Sequence, residues 1–451
     1  MISHQIKIKT YLKEKGGASA DDLCKFLEVT PSTLSRQMGH CRDWVIRLGA
    51  ARSTRYYAVR KILRNEHRWP IYRILENGEM VEGGILTSLY PNHWHFKASK
   101  ALSLFNKKEF SMGIYPGLPW FLENMRPQGF LGRSFVKQYA SQLRIGADSR
   151  LWSSEELLFA LLSHGVDCQG NLIVGEEAAT IYQSQRQNPK PLPSLESRTL
   201  LYPDLAQSVL LGNSVGSSAG GEQQKFTATL SASSGVRHVI VKFSAPLDTH
   251  AGRRWADLLL CEHLASKVLH ENHIPAAQTE IIEAGGRLFL ESTRFDRSGH
   301  HGRMGLYSCL PFDAAYYGDL DHWRSFADRI EPDQWLSMQD TRCLRLLHAF
   351  GTMIGNNDMH FGNISFLQED SGRLRLAPSY DMLPMLYAPS TTGEIIERDF
   401  SVIPPPPSGY EIWNRALPIA KSFWERVQAN PLISHSFREK IADNAQKLKR
   451  Q

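Results

Sequence analysis

Cysteine is sparse and unclustered in this chain. The six residues, Cys24, Cys41, Cys168, Cys261, Cys309 and Cys343, stand singly in 451 positions with no C-x-x-C pair. That spacing excludes a zinc knot or a redox dithiol, and buried reduced thiols are expected instead of disulfides. Long apolar runs are missing as well: no stretch approaches the roughly 20 residues of a membrane span. The N-terminus MISHQIKIK lacks the apolar core of a secretory leader. A soluble, cytoplasmic protein with no membrane partner is therefore predicted. Two phosphate-binding signatures are absent too, G-x-x-x-x-G-K-[ST] and a G-x-G-x-x-G following a strand, so neither a P-loop nor a dinucleotide-binding fold is indicated.

At 451 residues the chain exceeds one typical domain. Its charge is uneven. Residues 1–68 carry 14 Lys or Arg against 6 Asp or Glu, a net +8, although the whole chain is only +6. In this basic piece Ile6, Ile8, Tyr11 and Leu12 mark one helix, and Ser19 can cap a second through Asp22, Leu23, Phe26 and Leu27. Thr30 before Pro31 can cap a third, whose Ser32, Thr33, Ser35, Arg36 and Gln37 face outward. WVIRLG and RSTRYYAVRK then read as two strands around Gly49, carrying Arg47, Arg52 and Arg55. Helix-turn-helix followed by a hairpin resembles a winged-helix DNA-binding domain, with the third helix in the major groove and the wing on phosphates. A small basic docking domain is the other reading.

From Ile62 to Ala179 no catalytic cluster stands out. IYRILENGEMVEGGILTSLYPNHWHFKA has strand character, SSEELLFALLSHG is an amphipathic helix capped by Ser153 or Ser154, and His93, His95 and His164 read as structural. QSQRQNPKPLPSLESR (183–198) reads as a polar, proline-rich linker.

Chemistry concentrates further on. NSVGSSAGGEQQKFTATL (213–230) is rich in glycine and serine and runs into a strand; HVIVKFSAP follows with Lys242. Exposed backbone N–H groups there could cover nucleotide phosphates with Lys242 on their oxygens, or the stretch is a simple turn between strands. Glu262, on the helix after them, is either a partner for Lys242 or a solvated charge. The helical DTRCLRLLHAFGTMIGN leads to Asp358. Between Asp358 and Asn363 the spacing is D-x-x-x-x-N, and a short hairpin then leads to Asp381. One carboxylate to accept a hydroxyl proton, followed by an amide and a second carboxylate to hold magnesium, is the order that phosphoryl transfer needs. Taken alone, D-x-x-x-x-N also fits ordinary turn residues.

SSAGGEQQKF, VIVKF, RFDR (294–297) and NNDMHFGNISF with SYDM, in this order, resemble the HipA family of serine/threonine kinases, toxins of bacterial toxin–antitoxin systems; HGVDCQGNL (164–172) resembles the family's N-terminal region. The resemblance implies an α+β fold, two-lobed and protein-kinase-like, behind the small winged helix. The corresponding boundaries are 1–64 for the winged helix and 65–200 for a HipA-like N-terminal subdomain. Residues 201–300 form the nucleotide-binding part of the N-lobe, and 301–451 a mainly helical C-lobe.

By the same resemblance Asp358 is the catalytic base, Asn363 and Asp381 are the magnesium ligands, and Lys242 is the phosphate lysine. Ser218, Ala219, Gly220 and Gly221 form the glycine-rich loop, with His360 beside the phosphates. Family members autophosphorylate a serine in that loop; Ser218 is the nearest match and Ser217 the alternative. ATP and Mg2+ are the implied cofactors, and a protein with a Ser/Thr acceptor, such as an aminoacyl-tRNA synthetase, is the implied substrate. Double-stranded DNA and a second copy of the chain are expected partners, whereas the fused DNA-binding module leaves a separate antitoxin open. Before RFDR stands Thr293 where the family has Glu, with Glu291 two positions earlier. Two other classes stay open: a nucleotide-sensing, DNA-binding regulator without transfer activity, and a metal-dependent nuclease toxin.

Overall fold

The computed structural model describes residues 4–50, 53–211, 223–390 and 392–448. Among the described residues no helix is long and apolar enough to cross a membrane.

The N-terminal unit has three short helices, His4–Lys15, Ala20–Leu27 and Pro31–Gly39, each ending where its sequence signals. Ser19 and Asp22 form a capping box. The Thr30 hydroxyl accepts from Thr33 N, with Pro31 at the first helical position. Strands Val45–Leu48 and Arg55–Ala58 pair as a hairpin, and Ala18–Ser19 joins its outer edge. Ile8, Leu12, Leu23, Leu27, Leu34, Met38 and Cys41 give the unit its own core. The hairpin continues into the next sheet: Arg60 N donates to Ser88 O and Tyr90 N to Ala58 O.

That next sheet is antiparallel, in the order Ile114–Tyr115, His93–Ala98, Met80–Leu89, Arg68–Ile74, Leu172–Val174. Trp69, Trp94, Phe96, Phe105 and Phe121 pack it into a core that runs on, without a break, through the long helix His250–Glu271 to the C-terminal helices. The polar stretch read as a linker from residue 183 begins later than expected, since the helix Glu176–Gln187 takes its first residues. Alanine- and glutamate-rich EEAAT starts that helix, and Ala178, Ala179 and Tyr182 hold one face of it in the core.

A four-stranded antiparallel sheet follows, ordered Thr279–Ala284, Arg287–Thr293, Gly235–Phe243, Lys225–Ala232. Period-two alternation splits it into two faces. Val239, Val241, Phe226 and Phe289 turn to a back core closed by the helix Arg198–Leu210. The other face carries Lys242 toward the helix His250–Glu271. The C-terminal part is mainly helical, built on Met338–Met353 and Tyr410–Ala429. Leu344, Leu347 and Met353 lie buried on the first of these, as their spacing predicts. The architecture is the two-lobed α+β type, with a cleft between the four-stranded sheet and the helical lobe.

Candidate active site

Lys242 sits near the end of the strand Gly235–Phe243, almost fully buried, and reaches both Glu262 carboxylate oxygens at 2.6 Å. Its ammonium also donates to Asp381. The alternative reading of Glu262 as a solvated charge is thereby set aside: it is 5% exposed and paired. Burial opposes the charge on Lys242, but Asp381 and Glu262 outweigh it and hold its pKa above the ordinary lysine value. For Asp381 burial pushes upward, and Lys242 and Lys225 more than offset it, so the carboxyl titrates below its usual range. Burial raises Glu262 despite Lys242. A buried cation shared by two carboxylates is sustained only while all partners remain.

Asp381 itself has φ of +53°, a left-handed conformation that is costly for a non-glycine residue. The loop is held by its neighbours. Tyr380 Oη donates to Gly362 O at 3.1 Å and shares a hydrogen bond with the Ser365 hydroxyl. Strands Ser365–Gln368 and Leu374–Leu376 form the hairpin between Asn363 and Asp381.

Across the cleft, Asn363 Nδ2 donates to the Asp358 carbonyl at 2.8 Å, which leaves the Asn363 side-chain oxygen available. Asn356 Oδ1 accepts from Asp358 N at 3.0 Å, and its Nδ2 reaches Asp381 O at 3.4 Å, tying the two loops together. The Asp358 side chain is half exposed, 3.8 Å from His360 Nε2. Partial burial holds its carboxyl above the usual carboxylate range, with His360 opposing and Asp381 reinforcing the shift.

Lys242, Glu262, His360, Asn363 and Asp381 all line one cleft. Of the other expected site residues, Ser217 and Ser218 to Gly221 lie outside the described residues. Arg52 does too. Ser32, Ser35, Arg36, Arg47 and Arg55 are exposed on the N-terminal unit, with Thr33 and Gln37 half-buried.

Sequence reasoning missed several participants. Lys225 is 2% exposed and directly opposite Lys242 in the ladder, so a second lysine lines the cleft. Its signal was the strand alternation, which puts residues paired across a ladder on one face. The segment read as lacking a catalytic cluster contributes Asn124, Arg126, Gln128 and Gln169 to the same cleft. Glu291 proves unrelated to the cleft: it is fully buried on the back face, held by Arg198 at 3.1 Å, Arg237 at 3.0 Å and the Tyr202 hydroxyl. Thr293, at the end of the same strand, does line the cleft.

RFDR is a clasp. Asp296 accepts from Arg294 Nε and Nη2 (2.9 and 2.8 Å), Arg297 Nη1 (2.7 Å) and Gly170 N (3.0 Å). Arg297 also binds the carbonyls of Gly170 and Cys168. The clasp joins residues 167–170 of the preceding part to the strand that ends at Thr293.

Fold and site together define a two-lobed, kinase-like protein. Residues 65–183 match the family model described as "YjjJ-like toxin, middle domain" and residues 217–426 that of the "HipA-like C-terminal domain". Toxin YjjJ of Escherichia coli (strain K12) is 34% identical over 443 residues, covering 98% of this chain and 97% of that one. The chain belongs to the HipA-like toxin family. Solved structures similar to it include the HipA of Shewanella oneidensis MR-1, determined in complex with HipB and operator DNA. It shows 14% identity and a TM-score of 0.45, over 73% of this chain and 83% of that one. The Helicobacter pylori proinflammatory kinase CtkA matches at 14% identity and TM-score 0.38, over 51% of this chain and 89% of that one.

Proposed function

We propose that the protein is an ATP- and Mg2+-dependent serine/threonine kinase acting as a toxin, with an N-terminal winged helix that binds double-stranded DNA. The observation that carries the kinase reading is the Lys242 ammonium bound at once by Glu262 and Asp381, opposite the loop bearing Asp358 and Asn363.

The donor set fits magnesium. A carboxylate at Asp381 and an amide oxygen at Asn363 are hard oxygen ligands, and the lysine beside Asp381 holds it ionised. When bound, the metal would neutralise charge on the phosphate oxygens. Asp358 receives the proton of a serine or threonine hydroxyl as its oxygen bonds to the γ-phosphorus, while the bond to the β–γ bridging oxygen breaks and ADP departs. Lys242 binds phosphate oxygens, with Lys225 reinforcing the positive potential on the same face. Most of the rate gain comes from positioning and charge compensation. His360 stands beside the same phosphates, and Ser218 or Ser217 is the acceptor of autophosphorylation.

Lys242→Met tests the nucleotide site. Removing the cation leaves Glu262 and Asp381 as unpaired buried carboxylates, a cost of about 3–5 kcal/mol. The expected result is loss of ATP binding by titration calorimetry together with a lower unfolding midpoint; unchanged ATP affinity would sink this assignment.

The DNA reading rests on the exposed Ser32, Ser35 and Arg36 of the helix Pro31–Gly39 and on Arg47 and Arg55 of the hairpin. A homodimer on an inverted repeat would follow from such a module. Arg36→Ala combined with Arg47→Ala is expected to weaken binding to the gene's own upstream DNA and to reduce the salt slope by about one unit for each phosphate no longer neutralised. Equal affinity and slope in a mobility-shift titration would count against it.

A further inference from the structure

The nucleotide reading leaves open what recognises the base. Phosphate chemistry takes Lys242, Lys225, Asn363 and Asp381. The same cleft is also lined by Ser292 to Asp296, by Leu306, Ser308, Leu310 and Pro311, and by Asn124, Arg126, Gln128 and Gln169. The strand end offers one unspent side-chain group, the Thr293 hydroxyl, whose rotor can donate or accept. Glu291 faces the back core, Thr293 N is bound by Gln278 O and Arg294 N by His238 O, and the Arg294 and Asp296 side chains are spent on each other. Both ends of the Asn124 amide are used as well, Nδ2 on Leu306 O at 2.8 Å and Oδ1 on Ser308 N at 2.7 Å.

Gln169 differs. Its Nε2 donates to Asn124 O at 2.5 Å, and its side-chain oxygen has no partner among the described residues. A carbonyl can only accept, so this bond fixes which way round the amide lies. The backbone of the adjacent Gly170 is bonded on both sides by the clasp, N to Asp296 and O to Arg297. Gln169 is thus anchored from its side chain and from its neighbour, on the cleft wall beside the strand end.

Resting on the kinase reading above, we infer that Gln169 is a specificity-determining residue: its immobilised carbonyl oxygen accepts from the 6-amino group of adenine, so the part of the chain preceding the kinase lobes selects ATP over 6-oxopurine and unsubstituted purine triphosphates. The rings of Phe295 and Tyr380, with centroids 5.9 Å apart, stand at the same cleft. Preorganisation by the Asn124 bond is what gives one acceptor discriminating power, because its ordering entropy is already lost before the ligand arrives.

The test uses the full chain with MgCl2, measuring the affinities of ATP and of purine riboside triphosphate, which lacks the 6-amino group, by displacement of a fluorescent ATP analogue. Wild type is expected to prefer ATP about tenfold, the worth of one well-placed hydrogen bond. In Gln169→Leu that preference is expected to vanish through weaker ATP binding, with the purine analogue unchanged. Both nucleotides are read on one preparation, so a partly folded fraction cancels from the ratio. A tenfold preference that survives in Gln169→Leu, or no preference in wild type, overturns the inference while Lys242-dependent ATP binding stands. Absence of Lys242-dependent binding in any form overturns the nucleotide reading itself.

Discussion

Asp296→Asn is expected to destabilise the protein by about 3–5 kcal/mol, the usual cost of breaking a buried ion pair from one side. Arg294 and Arg297, whose side chains are 8% and 5% exposed, both pair with this carboxylate, and Arg297 is shared with Asp167 at 3.1 Å. The clasp would loosen at Gly170 N and at Arg294, while Arg297 keeps its bonds to the carbonyls of Gly170 and Cys168 and to Asp167. The pH dependence carries a matching signature. Burial pushes Asp296 up, but Arg294 and Arg297 overcome it and hold its folded-state pKa well below the ordinary carboxylate value. A depressed folded pKa contributes stability that is fully present above the unfolded value, near 4, and is lost as pH falls through the folded one. Urea denaturation of wild type should therefore show stability declining with acidification below about pH 4, and the variant should lack this component. A loss under about 1 kcal/mol at neutral pH would show that the clasp is dispensable.

Asp358→Asn should have the largest effect on activity. A positioned general base contributes about 10²- to 10⁴-fold, and Asp358 forms no bond to Lys242, Glu262 or Asp381 through its side chain among the described residues. The rate of transfer is expected to fall by that factor while ATP affinity holds, the pattern of an interaction made only in the transition state. With Asp358 as the proposed base, its raised pKa is expected to place the acid limb of the wild-type rate profile above the ordinary carboxylate range. Activity falls as pH drops through that value, since the base must be ionised. An equal loss in affinity and rate would instead assign Asp358 to nucleotide binding.

Much of the site is legible in the amino-acid sequence alone. The order Asp358, Asn363, Asp381 is written locally, and the turn between SFLQ and LRL brings its ends together. The N-terminal helices announce themselves through Ser19 with Asp22 and Thr30 with Pro31, because capping is a property of adjacent residues. Pairings across the fold are not legible in the same way. Glu262 could be solvated or paired until the sheet register places Lys242 beneath its helix. Lys225 looks like the end of a glycine-rich stretch, and only its position opposite Lys242 makes it a cleft residue. Gln169 and Asn124 lie more than a hundred residues before Ser292 to Asp296, which line the same cleft, with no local pattern to mark them. Glu291 sits two positions from the expected place, and strand alternation sends it to the back core, where Arg198, Arg237 and Tyr202 absorb it.

The most direct test of the central claim is incubation of the purified full chain with Mg2+ and γ-labelled ATP, alongside Asp358→Asn, followed by phosphosite mass spectrometry. Label on serine or threonine, at Ser218 or Ser217 in the chain itself, that disappears in the variant and on chelation of the metal is the predicted result. A protein that arrives unphosphorylated, binds ATP and yet transfers no label to itself or to any protein in an extract would contradict it. Magnesium-dependent DNA cleavage that needs Asp381 but no ATP would do the same, moving the cleft to phosphodiester chemistry.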